Sequence, residues 1–143
     1  MRHKIRVEAS AWIFFSILIV SVPLNWVISA LAAATFHELS HMAMLKIQNI
    51  PVRKICIGAR GAVMDTEFMG TKQELLCALS GPAGSLLVSL LLPIFPRIAL
   101  CGFVQGLYNL IPVYPLDGGR VLRCLISMGN GKIPCKRKKD GVQ

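Results

Sequence analysis

Apolar residues run together over most of this chain instead of alternating with polar ones. From Ala9 to Leu45 the only Asp, Glu, Lys or Arg is Glu38. That stretch is too long for a single membrane span of about 20 residues, and Pro23-Leu24-Asn25 interrupts it. The pattern therefore predicts a helical hairpin, with one span over 9–22 and a second over 24–45. The first is short and fits a bilayer by tilting or local thinning. Two further apolar runs predict spans over 74–93 and 98–126, the last broken by Pro112, Pro115, Gly118 and Gly119. Between the second and third runs the pattern changes. Val52–Ile57 and Ala62–Glu67 flank Gly58-Ala59-Arg60-Gly61, a glycine-bearing turn between two strand-like runs, which predicts a β-hairpin over 52–67. The fold class expected is an all-α polytopic membrane protein of about four transmembrane helices with a small cytosolic-side β-hairpin. Residues 1–128 form its core and 129–143 a basic tail.

Composition sharpens this. At 143 residues the chain holds one domain. Residues are 54% hydrophobic and 16% charged, against about 25% charged in soluble proteins. The net charge of +9 is not spread as in a nucleic-acid-binding protein, because aromatic residues do not interleave with the basic ones and no such motif occurs. Lysines and arginines instead flank the apolar runs. With the N-terminus in the cytosol, Arg97 alone of the sixteen basic residues falls outside, as the positive-inside rule requires. A multi-pass protein of the cell membrane with both termini cytosolic follows. Lys136-Arg137-Lys138-Lys139 in the tail suits anionic lipid. The opening Met1–Arg6 and the later Ala30–Ala34 outline a secretory leader, but the apolar run far exceeds the 7–15 residues of a leader's core, so it reads as span. The five cysteines (Cys56, Cys77, Cys101, Cys124, Cys135) form no CxxC pair and so neither a disulfide framework nor a thiolate metal site.

His37-Glu38-Leu39-Ser40-His41 lies near the end of the second span. Ionisable groups inside a span are expensive and mark function by default. Histidines four apart project from one helix face, and each imidazole offers a nitrogen suited to Zn²⁺. Glu38 sits beside them, able to act on water. Catalytic zinc usually has three protein ligands, and the acidic residues are few. Glu8 and Asp140 are near the termini, Asp65 and Glu67 fall in the hairpin, and Glu74 opens the third span. Asp117 remains, within Asn109–Arg120. At about 1.5 Å per helical residue, it reaches a depth similar to the histidines. The plainer reading pairs Asp117 with Arg120 or Arg123 and leaves Gly118-Gly119 as a helix break.

The HELSH segment, Ser80-Gly81-Pro82-Ala83-Gly84 and Asn109–Gly119 resemble the site-2-type intramembrane zinc metalloproteases. With a short hairpin after the HExxH helix, the arrangement is most similar to the stage IV sporulation protein FB branch. The resemblance implies Zn²⁺ held by His37, His41 and Asp117, Glu38 as catalytic acid/base, and Asn109 handling the substrate backbone or oxyanion. It implies a zinc-dependent intramembrane endopeptidase cleaving a transmembrane or membrane-associated regulatory protein. The hairpin edge would grip unwound substrate, or would simply cap the surface. Partners expected are a membrane-protein substrate and the bilayer, with a regulatory membrane partner or a second copy as further candidates, and no nucleic acid. Two departures stand out: Ser40 occupies a position where many members carry glycine, and members of that branch usually continue past Asp117 with further helices. The alternative is a non-catalytic membrane scaffold or regulator that retains the metal site.

Overall fold

A computed structural model describes residues 4–7, 9–58, 61–66 and 69–129. In chain order the elements are β1 (Lys4–Val7), α1 (Ala9–Ser21), α2 (Leu24–Ile47), β2 (Val52–Gly58), β3 (Gly61–Thr66), α3 (Thr71–Ser89), α4 (Pro96–Asn109) and α5 (Asp117–Gly129). The basic tail beyond Gly129, the turn at 59–60 and Glu67 lie outside the described residues.

Local chemistry sets several boundaries. Pro23 precedes α2 with φ −54° and ψ 136°, a backbone its ring favours, and its carbonyl accepts from the Trp26 N–H at 2.9 Å. At the other end Asn49 turns left-handed, with φ 54°. Its N–H donates to Lys46 O at 3.0 Å and that of Ile50 to Leu45 O at 2.9 Å, the paired bonds of a Schellman stop. Gln73 reaches back to accept from the Gly70 N–H at 2.9 Å, fixing the start of α3.

One expectation needs correction. The fold is not all-α plus a hairpin: β2 pairs antiparallel with β3, and β1 pairs parallel with β2, giving a sheet of order β1-β2-β3. Four residues at the chain's start carry too short a pattern to predict a strand; pairing with Lys54–Ile57 organises them. The break expected within 98–126 is present. α4 stops at Asn109 and α5 starts at Asp117. In the connection the Leu116 N–H donates to Val113 O at 2.9 Å. Gly118 lies so close to the Leu110 and Ile111 carbonyls that a Cβ there would overlap them, and one on Gly119 would sit 2.6 Å from the Tyr114 nitrogen. This glycine pair does more than break a helix; it lets two backbone segments touch.

No helix among the described residues is long and apolar enough to cross a membrane. With 13 residues α1 reaches about 20 Å, short of a hydrocarbon core of about 30 Å. α2 has the length, at 24 residues, but HELSH lowers its hydropathy, and α3 opens with Lys72, Gln73 and Glu74.

α3 lies at the centre, packed against α2, α4 and α5. The contacts are built from small residues that let helix backbones approach closely. A Cβ on Gly84 would run into Ser40 Oγ, one on Gly102 would lie 2.9 Å from Ser85 O, and one on Gly106 3.1 Å from Leu86 Cγ. The interior they enclose holds polar groups beside apolar ones such as Val27, Leu45 and Val88. His37, His41, Glu74, Ser85 and Asp117 are buried, whereas Val20, Leu90, Ile94 and Leu87 stand exposed on the outside.

Candidate metal centre

Three elements converge on one point. α2 presents His37 and His41 from a single face, their rings edge to face with centroids 4.9 Å apart and planes at 84°. α5 brings Asp117 in its first turn. α3 passes behind both rings and closes the site. Asp117 Oδ2 lies 3.2 Å from His37 Nε2 and 3.1 Å from His41 Nε2, and the two nitrogens are 3.3 Å apart. All three residues are buried.

The outer side of each ring is held by α3. His41 Nδ1 is 2.8 Å from the Cys77 carbonyl, which can only accept, so that nitrogen carries a proton. Ser80 Oγ donates to the same carbonyl at 2.7 Å. His37 Nδ1 meets the buried Ser85 Oγ at 2.9 Å. A neutral imidazole protonated at Nδ1 keeps a bare lone pair at Nε2. With His37 in the same tautomer, Ser85 accepting, two lone pairs and a carboxylate oxygen face one another with nothing between them to donate. Such a cluster calls for a cation.

The spacing suits one as well. Ligands bound at about 2.0–2.1 Å in a tetrahedron lie about 3.3 Å apart, and the observed edges run from 3.1 to 3.3 Å. Second partners on Nδ1 are what metal-bound histidines ordinarily have, because they fix tautomer and ring orientation. His37, His41 and Asp117 can therefore form a metal site, and their donor set of two imidazoles and one carboxylate suits zinc.

Gly81 makes room for it. A Cβ at this position would overlap His41 Nε2 and lie 2.8 Å from His37 Nε2. The same turn of α3 carries Pro82, which cannot donate an intrahelical hydrogen bond.

The pairing of Asp117 with Arg120 also occurs, through the other carboxylate oxygen: Arg120 Nη1 donates to Oδ1 at 3.1 Å. Arg120 Nε faces Glu74 Oε1 of α3 at 3.8 Å. Arg123 instead lies over the Tyr114 ring, 5.3 Å from its centroid. The simple ion pair and the metal cluster are thus two halves of one carboxylate.

Of the other candidates, Glu38 follows His37 on α2 and is half-buried. Asn109 ends α4, its amide donating to Gln105 O at 3.1 Å within the helix. Sequence reasoning missed Ser85, the Cys77 carbonyl and the bridging of Glu74 by Arg120. A backbone carbonyl leaves no mark in a sequence, and a serine in an apolar helix is too common to single out.

Comparison with known proteins narrows the reading. Residues 73–143 match the model for Peptidase family M50. A zinc metalloprotease of Methanocaldococcus jannaschii is 28% identical over 113 residues, covering 69% of this chain and 33% of the relative. A Synechocystis sp. protein named as a candidate zinc metalloprotease is 33% identical over 111 residues, covering 66% and 29%. The site-2 protease structure from Methanocaldococcus jannaschii superposes with a TM-score of 0.74 at 24% identity, covering 87% of this chain and 67% of that one. The sequence likenesses are to zinc metalloproteases and a Peptidase family M50 model, and the structural likeness is to the site-2 protease fold.

The M50 match begins after the HELSH helix and takes in Asn109 and Asp117. The structural likeness extends the site-2 protease fold across most of the chain. This chain spans about a third of the length of the curated relatives it matches.

Proposed function

We propose that this protein is a zinc-dependent intramembrane endopeptidase that cleaves a transmembrane or membrane-associated regulatory protein. The observation that carries the reading is the buried triangle of His37 Nε2, His41 Nε2 and Asp117 Oδ2, with Glu38 on the same helix. His37, His41 and Asp117 would hold a zinc ion there, and it would supply Lewis-acid chemistry that polarises a peptide carbonyl and lowers the pKa of water. Glu38 takes the proton from the attacking water and delivers it to the departing amine nitrogen as the C–N bond breaks. Ser85 and the Cys77 carbonyl hold the imidazoles so that their Nε2 lone pairs stay on the ion. Asn109, at the end of α4 and just before the chain turns toward Asp117, binds the substrate backbone or the developing oxyanion.

A membrane setting is supported by the distribution of side chains. Exposed positions on the helices include Ile17, Leu87 and Phe103, while His37, His41, Glu74, Ser85 and Asp117 are buried. A contiguous apolar exterior of this kind suits lipid. We read four membrane segments, with α4 and α5 sharing the last. The pairing of β1 with β2 supports a common side for the N-terminus and the hairpin, the cytosolic one by charge, with the site about 9 Å from that end of α2. The hairpin directly after the HELSH helix supports the stage IV sporulation protein FB branch. β3 is an edge strand, a surface on which an unwound substrate segment can add as a strand. Residues 1–128 form the catalytic core.

The test compares wild type with Glu38→Gln in zinc content and in cleavage of membrane-anchored substrates whose spanning helices carry helix-breaking residues. Both proteins are expected to hold zinc and only wild type to cut. Equal cleavage by the two sinks the mechanism. Zinc in both with cleavage by neither is the result a non-catalytic scaffold gives.

A further inference from the structure

Asp117 has two oxygens and they do different things. Oδ2 completes the donor triangle, and Oδ1 accepts from Arg120 Nη1 at 3.1 Å. Arg120 is in turn anchored. Its Nε faces Glu74 Oε1 at 3.8 Å, and Glu74 is a buried carboxylate in the first turn of α3. One guanidinium therefore links the helix that supplies the third metal-binding residue to the helix that holds both imidazoles from behind. A rigid fork with several N–H donors can serve two carboxylates at once, which a lysine ammonium on a flexible stem does poorly.

A carboxylate with both oxygens free can swing about its bond to Cβ or offer both oxygens to one cation. Either change matters at a catalytic metal, which works with three protein ligands and a remaining position open to water or substrate. Engaging Oδ1 disfavours both, because Arg120 holds the carboxylate's orientation and occupies part of that oxygen's accepting capacity. It also balances charge, since Asp117 and Glu74 carry two negative charges in a buried setting and Arg120 brings one positive charge to share between them. Buried charges left unpaired are costly.

We propose that Arg120, braced by Glu74, is a positioning residue that keeps Asp117 a one-oxygen ligand and so keeps the metal's coordination number low. The inference rests on the assignment of His37, His41 and Asp117 as the metal site, and it concerns how the site is shaped and not whether it exists. Arg120 acts through Asp117 and has no contact with substrate in this scheme.

The test loads the full chain in detergent with Co²⁺ and reads its visible absorption, which weakens as coordination number rises, together with affinity by competition against a chelator. Arg120→Gln is expected to bind one Co²⁺ with weaker absorption and with affinity lowered about 10- to 100-fold, the range for lost outer partners of metal ligands. Glu74→Gln, which leaves the Arg120–Asp117 bond but removes its brace, is expected to shift both in the same direction by less. Arg120→Lys keeps the charge without the fork and is expected to fall between wild type and Arg120→Gln; it carries the same test if Arg120→Gln does not fold. Variants that match wild type in both readouts overturn the proposal. So do variants that lose affinity with an unchanged spectrum, which is general loosening of the fold. Wild type that takes up no Co²⁺ or Zn²⁺ overturns the metal site itself, a separate failure visible before any variant is made.

Discussion

His41 donates its Nδ1–H to the carbonyl of Cys77 at 2.8 Å, and that single bond decides what the opposite side of the ring can do. The carbonyl accepts only, so in the neutral ring Nε2 is the nitrogen with the free lone pair, and it points at Asp117. Because the partner is backbone on α3, the tautomer is fixed by helix packing and not by any side chain a substitution can remove. The corresponding bond to His37 comes from a side chain, Ser85, and there the arrangement is open to mutation.

Ser85→Ala is expected to leave the fold intact and lower metal affinity about 10- to 100-fold. The buried His37 N–H loses its partner, a penalty of about 1–3 kcal/mol, and the ring is freer to turn. Chelator competition on the purified protein measures it. An unchanged affinity would remove Ser85 from the site.

Gly81→Ala separates helix propensity from site geometry. In an ordinary helix interior the change stabilises by about 1 kcal/mol. Here the added methyl overlaps His41 Nε2 and crowds His37 Nε2. The expected outcome is loss of stoichiometric zinc, read by elemental analysis, with helix content by circular dichroism retained. A variant that keeps its zinc and gains thermal stability would refute the close approach.

Asp117→Ala takes away the only acidic member of the cluster. It is expected to lose zinc while the helices persist, because Asp117 joins the metal-binding face and only the first turn of α5. Zinc retained at wild-type affinity would hand the third position to another residue.

Gly118→Ala and Gly129→Ala form a pair with opposite outcomes. At Gly118 a Cβ meets the Leu110 and Ile111 carbonyls, and at Gly129 it meets nothing within 4 Å. Thermal unfolding in detergent should fall for the first, by an overpacking penalty of about 1–3 kcal/mol. For the second it should stay level or rise by up to about 1 kcal/mol. Equal responses would mean that the α4–α5 connection is loose.

What the sequence by itself determined is local. Histidines four residues apart in an apolar run must share a helix face, so the pair and its neighbour Glu38 were legible, and scarcity of acidic residues pointed to Asp117. Pro23 and the glycine-bearing turn near residues 58–61 announce boundaries within a few residues of themselves. The tertiary structure decided everything that joins distant segments. His37 reaches across 48 positions to Ser85 and 80 to Asp117, and no periodicity encodes such pairs. Prolines and glycines marked a break within 98–126, but hydropathy does not register backbone meeting backbone, so the approach of Gly118 and Gly119 to residues 110–114 was not legible. β1 exists because β2 offers it an edge. Arg120 could have paired with Asp117 in either reading, and it took the nearness of Glu74 on α3 to give that pair a direction and leave the second carboxylate oxygen facing the histidines.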